Sequence, residues 1–134
     1  MFKTVIRPGF SDTDALGHIN NTRLPVWFEN AREPLFRLFT PNMDLENWPL
    51  IVAHMSVDFT GQMYFDKDVT VTTELAKIGN SSMTVKQCAW QDDSCVAIGH
   101  TVMVHFSYKT NSSSPIPDDI RSELEQHLAE DVED

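Results

Sequence analysis

One long apolar helix followed by four strand-like segments is the pattern that most constrains the fold of this chain. From about residue 22 to 39 the apolar residues recur at helical spacing and further aromatic residues widen the stripe, so we expect a mostly buried helix. Asn21 or Thr22 can cap its start, with Pro25 in the first turn. Pro34 is expected to kink or divide the helix, because a mid-helix proline removes one hydrogen bond and crowds a carbonyl.

The rest of the chain alternates apolar and polar residues in the manner of β-strands. A first strand over residues 2–10 carries Pro8-Gly9 near its end, which favours the edge of a sheet. Four more strands with short connections are predicted over about 50–60, 64–78, 82–90 and 95–108. We therefore predict an α+β fold, an antiparallel five-stranded sheet wrapped around a central helix. A short C-terminal helix follows over about 118–128.

Size, composition and charge limit the possible functions. The 134 residues, 41% hydrophobic and 22% charged, are typical of one soluble domain, and no apolar run approaches the roughly 20 residues that span a bilayer. The N-terminus breaks its apolar residues with charge, unlike a signal peptide, so we expect a cytoplasmic protein without a membrane span. Of the net charge of −10, −7 lies in residues 118–134. An acidic chain without a basic stripe is a poor nucleic-acid binder, and we exclude that class.

The two cysteines give no sign of a metal site. Cys88 and Cys95 flank the predicted turn Gln91-Asp92-Asp93-Ser94, and a hairpin closed there sets Cys88 opposite Ala97 rather than opposite Cys95. We expect both to be small buried hydrophobic residues rather than a disulfide. No Cys or His spacing suits zinc.

The segment before the helix is unusually rich in polar groups. Asp12, Asp14, His18, Asn20 and Asn21 crowd into ten residues, whereas a structural connection needs only a turn residue and an N-cap. This density is typical of an active site. We interpret Asp12 as a turn-holding residue, and His18 is equally compatible with a site role and with ordering the loop. On the helix, Glu29 with Arg32 forms an ion pair or ties the helix to the sheet.

The order of elements and the segment Asp12-Thr-Asp-Ala-Leu-Gly-His-Ile-Asn-Asn21, followed by Glu29-Asn-Ala-Arg32, resemble the hot-dog-fold acyl-CoA thioesterases. The branch that they resemble most is that of 4-hydroxybenzoyl-CoA thioesterase. The resemblance covers about residues 2–117 and implies a hot-dog thioesterase domain over residues 1–117. Residues 118–134 then form an acidic C-terminal helix and tail, which we expect to be peripheral to catalysis.

The resemblance implies hydrolysis of an acyl-CoA to a free acid and coenzyme A. It makes Asp14 the catalytic carboxylate, as nucleophile or general base, and makes the N–H of Asn21 the group that polarises the thioester carbonyl, with His18 beside them. An attacking oxygen and a donor for the oxyanion are what thioester hydrolysis requires. The candidate substrate contacts are Gly17, Asn20, Thr60, Lys77, Ser81 and Ser82. For Lys77, Ser81 and Ser82, contacts to the phosphates or pantetheine of coenzyme A and a solvated loop explain the residues equally well. The chemistry demands no metal or cofactor, since coenzyme A is part of the substrate.

Two other functions remain open on the same fold. One is a non-catalytic acyl-CoA-binding protein, because fold does not fix function. The other is a hydratase or dehydratase, which needs a histidine with an acidic partner over a β-carbon. In each case a sheet wrapped on one helix leaves an open edge, so we expect a homodimer or homotetramer in which sites draw residues from two chains.

Overall fold

The computed structural model describes residues 1–15 and 17–130 of the chain. Within these described residues, six strands and three α-helices follow one another, with short 3₁₀ turns at Phe10–Asp12 and Leu45–Asn47. In chain order the helices and strands are β1 (Phe2–Ile6), α1 (Arg23–Ala31), α2 (Glu33–Phe39), β2 (Leu50–Phe59), β3 (Val69–Ile78), β4 (Ser82–Gln91), β5 (Ser94–Ser107), β6 (Ser112–Ser113) and α3 (Asp118–Glu125).

The main sheet is antiparallel, with the strand order β1-β3-β4-β5-β2, and the two-residue β6 pairs with the end of β5. It curls around α1, so the predicted α+β architecture, with five long strands around a central helix, is confirmed. The first strand lies at one edge, as Pro8-Gly9 indicated. At the opposite edge lies β2, most of whose residues are exposed.

Two apolar clusters fill the concave side of the sheet. The first packs α1 on the sheet through its buried residues Leu24, Trp27, Phe28 and Ala31. The second lies under α2 and α3, with Leu35, Leu75, Met83 and Leu124 among its members. The first cluster fixes α1, which begins directly after the polar loop over 12–21. The second cluster packs α2 and α3 together against the sheet.

The long helical run is divided, as Pro34 predicted. The first helix ends at Ala31 and the second begins at Glu33. The N–H of Arg32 donates to the Glu29 carbonyl at 3.1 Å instead of to the carbonyl four residues back, because a proline two residues later cannot continue the helical ladder.

Three predicted boundaries were wrong. The first strand, expected over 2–10, ends at Ile6, where its partner β3 begins at Val69. The strand expected over 64–78 begins only at Val69, because the Gln91 side chain replaces a strand partner for the preceding residues. It accepts from the Tyr64 N–H at 2.8 Å and donates to the carbonyls of Tyr64 and Lys67 at 2.7 and 3.1 Å. The C-terminal helix ends at Glu125 instead of near residue 128, because the chain then pairs with β3. There the Leu75 N–H donates to the His127 carbonyl, and the Ala129 N–H to the Leu75 carbonyl, both at 2.8 Å.

The acidic C-terminal segment is part of the core rather than an appendage. Leu124 is fully buried in the second cluster and Ile120 packs against it, while the Arg121 guanidinium donates to the carbonyls of Gly79 and Asn80. Residues 131–134 of the predicted tail lie outside the described residues. Removing the whole segment after residue 117 would therefore open the core, whatever its relation to catalysis.

Both cysteines are free thiols. Burial, and then the neighbouring Cys95, raise the pKa of Cys88 to about 11. Cys88 lies opposite Ile98 rather than Ala97, because a bulge at Ala89/Trp90 shifts the register. Over residues 1–15 and 17–130, no helix is both long and apolar enough to cross a membrane.

Candidate active site

The loop before α1 is a miniature hairpin built around Asp14. Its N–H donates to the His18 carbonyl at 2.8 Å, and its side-chain Oδ1 accepts from the His18 N–H at 3.2 Å. Gly17 has φ = 85°, a left-handed conformation that glycine adopts without strain and that turns the chain back on itself. The Ile19 N–H donates to the Met63 carbonyl at 2.9 Å, which ties the hairpin to the main body. Asp14 itself is solvent-exposed.

Thr22, one of the two predicted candidates, stands at the N-cap position of α1, but its side chain makes no capping hydrogen bond, and the side chain that holds this turn is that of Asn20. The Asn20 side-chain oxygen accepts from the Thr22 N–H at 2.9 Å and from the Thr22 hydroxyl at 2.8 Å. None of the described residues accepts a hydrogen bond from the Asn21 N–H. A backbone donor at the positive end of a helix dipole suits a developing negative charge.

Asp12 has the turn-holding contacts expected of it. One carboxylate oxygen lies 2.9 Å from Nε of Arg23, and the other accepts from the Gly9 N–H at 2.8 Å. Its carbonyl accepts from the Asn20 N–H at 2.7 Å. Asp12 thus joins the segment after the first strand, the hairpin and the first residue of α1.

An aromatic residue that the sequence did not single out stands beside His18. The Tyr64 ring meets the His18 ring edge to face, with centroids 5.3 Å apart, and the two backbones form an isolated bridge. Lys67 lies 5.8 Å from the Tyr64 ring centre and pairs with Asp92 at 2.8 Å, and this hydrogen bond raises the pKa of Lys67. No local sequence signal marks Tyr64, because its contact with His18 depends on the pairing of the hairpin with Met63, which lies more than 40 residues along the chain.

The other predicted substrate contacts divide between the two ends of the sheet. Gly17 and Asn20 belong to the hairpin. The Thr60 hydroxyl donates to the Cys95 carbonyl at 2.9 Å, near the hairpin end. Lys77, Ser81 and Ser82 lie at the opposite end, where β3 turns into β4. A ten-residue strand is roughly 30 Å long, so one protomer does not bring these three residues to Asp14.

A cavity of about 330 Å³ lies at this second end, between the helices and β2. Polar residues at the end of α1, among them Glu29 and Arg32, form one wall. The other walls are mainly apolar and consist of Phe36, Met43, Leu45, Trp48, Leu50, Val52 and Met103. Along β2 the apolar side chains remain open to solvent, with Val52, Met55 and Phe59 exposed by 44%, 42% and 46%. This is space for an apolar group, and sequence reasoning missed it because the loop over 40–48 carries no periodic pattern.

Arg32, on the wall of that cavity, is almost completely buried. Burial lowers the pKa of its guanidinium, and the charge of Glu29 partly offsets this. Its Nη1 donates to Gln87 and Thr101 on the sheet. Of the two roles predicted for Glu29 with Arg32, the structure shows the tie to the sheet. In the part of the chain that the structure describes, no cluster of three or more metal-ligating side chains occurs.

A family model and two solved structures of similar sequence agree on the family of this chain. Residues 8–124 match the model of the thioesterase-like superfamily. A structure of a predicted thioesterase from Bacillus stearothermophilus is 45% identical, covers 97% of this chain and 98% of its own, and superposes with a TM-score of 0.92. A Thermus thermophilus thioesterase, complexed with coenzyme A and Zn, is 27% identical, with coverages of 92% and 96% and a TM-score of 0.81. The uncharacterized protein YsmA of Bacillus subtilis (strain 168) is 24% identical over 117 residues, which are 86% of this chain and 79% of YsmA.

Proposed function

We propose that this chain, which belongs to the thioesterase-like superfamily, hydrolyses acyl-CoA thioesters to a carboxylic acid and coenzyme A. The observation that carries the proposal is that the Asp14 hairpin leads directly into the first turn of α1. The chain thus carries a carboxylate at Asp14 and, seven residues later, the Asn21 N–H, from which no described residue accepts a hydrogen bond. Hydrolysis of a thioester needs these two kinds of group.

The chemistry assigned to these groups is simple. Asp14 either attacks the thioester carbonyl, giving a mixed anhydride that water then hydrolyses, or removes a proton from the attacking water. The Asn21 N–H donates to the carbonyl oxygen as negative charge develops on it, and loss of one such donor lowers turnover by about 10²–10³-fold. The C–S bond breaks and the thiolate of coenzyme A leaves. Because a thiolate is a good leaving group, a strong general acid is not required.

Coenzyme A as the leaving group is supported by a relative. The Thermus thermophilus thioesterase, which covers nearly the whole chain, is complexed with coenzyme A. The apolar cavity under the loop over 40–48 and the open apolar side chains of β2 fit an acyl group. In one protomer, however, this cavity and the hairpin lie at opposite ends of β2.

A homodimer joined through β2 brings the hairpin of one copy close to the apolar cavity of the other, and we propose this dimer as the active form. The strand begins at Leu50, next to the cavity, and ends at Phe59, next to the residues that hold the hairpin. If two copies pair β2 antiparallel, the Leu50 end of one meets the Phe59 end of the other. Each Asp14 then faces the partner's cavity and the partner's turn over 79–82, where the predicted contacts Lys77, Ser81 and Ser82 lie. Further pairing of dimers gives the tetramer that was the other prediction.

The test is thiol release from a panel of aromatic and aliphatic acyl-CoAs, with Asp14→Asn as the decisive variant. An amide neither attacks nor deprotonates water, so turnover should fall at least about 10²-fold while the thermal unfolding midpoint stays near that of the wild type. Asp66→Asn is the matched control, since it removes one charge from an exposed aspartate on the neighbouring loop and should leave turnover unchanged.

Three results would contradict this assignment in different ways. An Asp14→Asn variant within a few-fold of the wild type would remove Asp14 from catalysis. Binding of acyl-CoA without thiol release would make the chain an acyl-CoA-binding protein. Addition of water to an enoyl-CoA, with the thioester intact, would make it a hydratase.

A further inference from the structure

Four of the most deeply buried polar side chains of the molecule lie together beneath α1. Arg32, Thr73, Gln87 and Thr101 are exposed by 3% or less. Nη1 of Arg32 donates to Oε1 of Gln87 at 3.1 Å and to the Thr101 hydroxyl at 3.3 Å. Nε2 of Gln87 donates in turn to the Thr73 hydroxyl at 3.1 Å. We call these four side chains the buried polar cluster.

The cluster grips the backbone of α1 where the helix breaks. Because the Arg32 N–H turns to the Glu29 carbonyl, the Phe28 carbonyl loses its helical donor. Nε2 of Gln87 donates to that carbonyl at 2.9 Å. The Thr73 hydroxyl reaches toward the Ala31 carbonyl at 3.5 Å. Side chains of the sheet therefore supply donors to carbonyls that the break has freed.

A glycine fixes the height of the same helix residue above the sheet. A methyl group at Gly99 would lie 2.7 Å from Cε2 and 2.8 Å from Cδ2 of Phe28, well inside van der Waals contact. The Phe28 ring thus rests on bare backbone of β5 while its carbonyl is held from β4. These two contacts come from different strands and act on one residue, so they define the position of α1 in two directions.

We propose that Gln87 and Arg32, together with Gly99, are positioning residues that seat α1 so that its first turn presents the Asn21 N–H correctly to the substrate held by the Asp14 hairpin. The proposal rests on the function proposed above. The helix is one rigid rod from Arg23 to Ala31, so a shift at Phe28 is carried to its start. Among the described residues, the hairpin is held to the body through the Met63 carbonyl and to the start of α1 only through Arg23 and the connecting chain. We therefore expect a shift of α1 to change the position of the Asn21 N–H relative to Asp14.

The polar nature of the buried polar cluster favours a role in positioning α1 over a role in stabilising the fold. A buried guanidinium and amide are expensive to desolvate, and apolar side chains of similar volume in such places are often neutral or stabilising. Among the described residues no carboxylate forms an ion pair with Arg32, and its Nε has no partner. Polar side chains here add little stability but specify one placement of the helix.

The experiment is the double substitution Arg32→Met with Gln87→Leu, compared with Gly99→Ala. Both should move α1 on the sheet, and a displacement of about 1 Å can lower turnover up to 10²-fold. We expect kcat for acyl-CoA to fall at least about tenfold with KM little changed. R32M/Q87L should stay folded, with an unfolding midpoint lowered by no more than about 10 °C because the buried Phe28 carbonyl loses its donor. Thr72→Val, which removes a half-buried hydroxyl that accepts from the Trp90 indole N–H on the opposite face of the sheet from α1, is the matched control. It should lower the midpoint without lowering kcat.

Each other outcome is decisive. Wild-type kcat in a folded R32M/Q87L or in a folded Gly99→Ala overturns the proposal, and so does failure of both variants to fold, because the cluster would then be structural. If the wild type itself hydrolyses no acyl-CoA, the proposed function fails separately. Amide hydrogen exchange then decides the seating of α1. The Arg23 and Leu24 N–H groups should exchange at least about tenfold faster in R32M/Q87L, while the amides of β4 do not change. Equal exchange in the first turn overturns it.

Discussion

Deleting residues 118–134 should unfold the protein, although this segment is the most acidic and outwardly the least essential part of the chain. Leu124 is 0% exposed in the second apolar cluster, and loss of a buried leucine costs about 2–5 kcal/mol. The two backbone hydrogen bonds between Leu75 and residues 127–129 add about 1 kcal/mol each. The total of about 4–7 kcal/mol is comparable to the stability of a whole domain, about 5–15 kcal/mol.

Thermal unfolding followed by circular dichroism measures this. At roughly 3 °C per kcal/mol for a chain of this size, the unfolding midpoint should fall by at least about 12 °C. The control lacks only residues 131–134, which carry three of the acids. It should unfold at the wild-type midpoint and keep its turnover, with KM at low salt unchanged or slightly lower, because coenzyme A is itself an anion. A chain ending at Pro117 that unfolds within about 5 °C of the full protein would refute the assigned packing.

Two further predictions concern assembly and pH. If the proposed dimer forms, Met55→Lys places like charges on the exposed edge strand of both copies and should yield a monomer by light scattering, whereas Val5→Lys on the opposite edge should not. A wild-type monomer would contradict the composite site. Burial, and then the N-terminal amine, lower the pKa of His127, so the native state binds this proton less readily than the unfolded chain does. Stability should therefore be full above about pH 6.5 and fall as the pH drops toward the lowered folded pKa. The midpoints at pH 7.5 and 5 should lie closer together in His127→Gln than in the wild type and in the control His100→Gln; an unchanged gap would show that His127 contributes nothing.

Local rules predicted most of the fold because the decisive residues act on their neighbours. Pro34 divides the helix through its own missing N–H, and Pro8-Gly9 marks the edge strand at the residues that follow it. The failures come from contacts between residues far apart in sequence. Gln91 takes the place of a strand partner for Tyr64, and Leu75 recruits residues 127–129 from the far end of the chain. Neither pairing leaves a periodic signal in the segments concerned.

In the candidate site, too, the features that depend on neighbouring residues could be predicted and those that depend on particular side-chain contacts could not. Asp14, Gly17, Asn20 and Asn21 lie within one short segment, so their proximity follows from the sequence. For the start of α1, sequence reasoning identified the need for a cap but not which side chain supplies it, since three adjacent polar residues meet the same preference. The Asn20 side chain accepts from the Thr22 N–H, and no described residue accepts from the Asn21 N–H. That N–H is the group that the proposed reaction requires.

The remaining predicted contacts, Lys77, Ser81 and Ser82, raise a different question, because they lie a full strand away from Asp14. If the chain worked as a monomer, they would have no access to a substrate held at the hairpin, and the apolar cavity would be equally remote. Antiparallel pairing at β2 removes both difficulties at once, since a twofold axis exchanges the two ends of the strand. The same edge carries the exposed side chains of Val52, Met55 and Phe59, which an unpaired strand would leave open to aggregation. The protection of this edge and the completion of the site thus call for the same second copy.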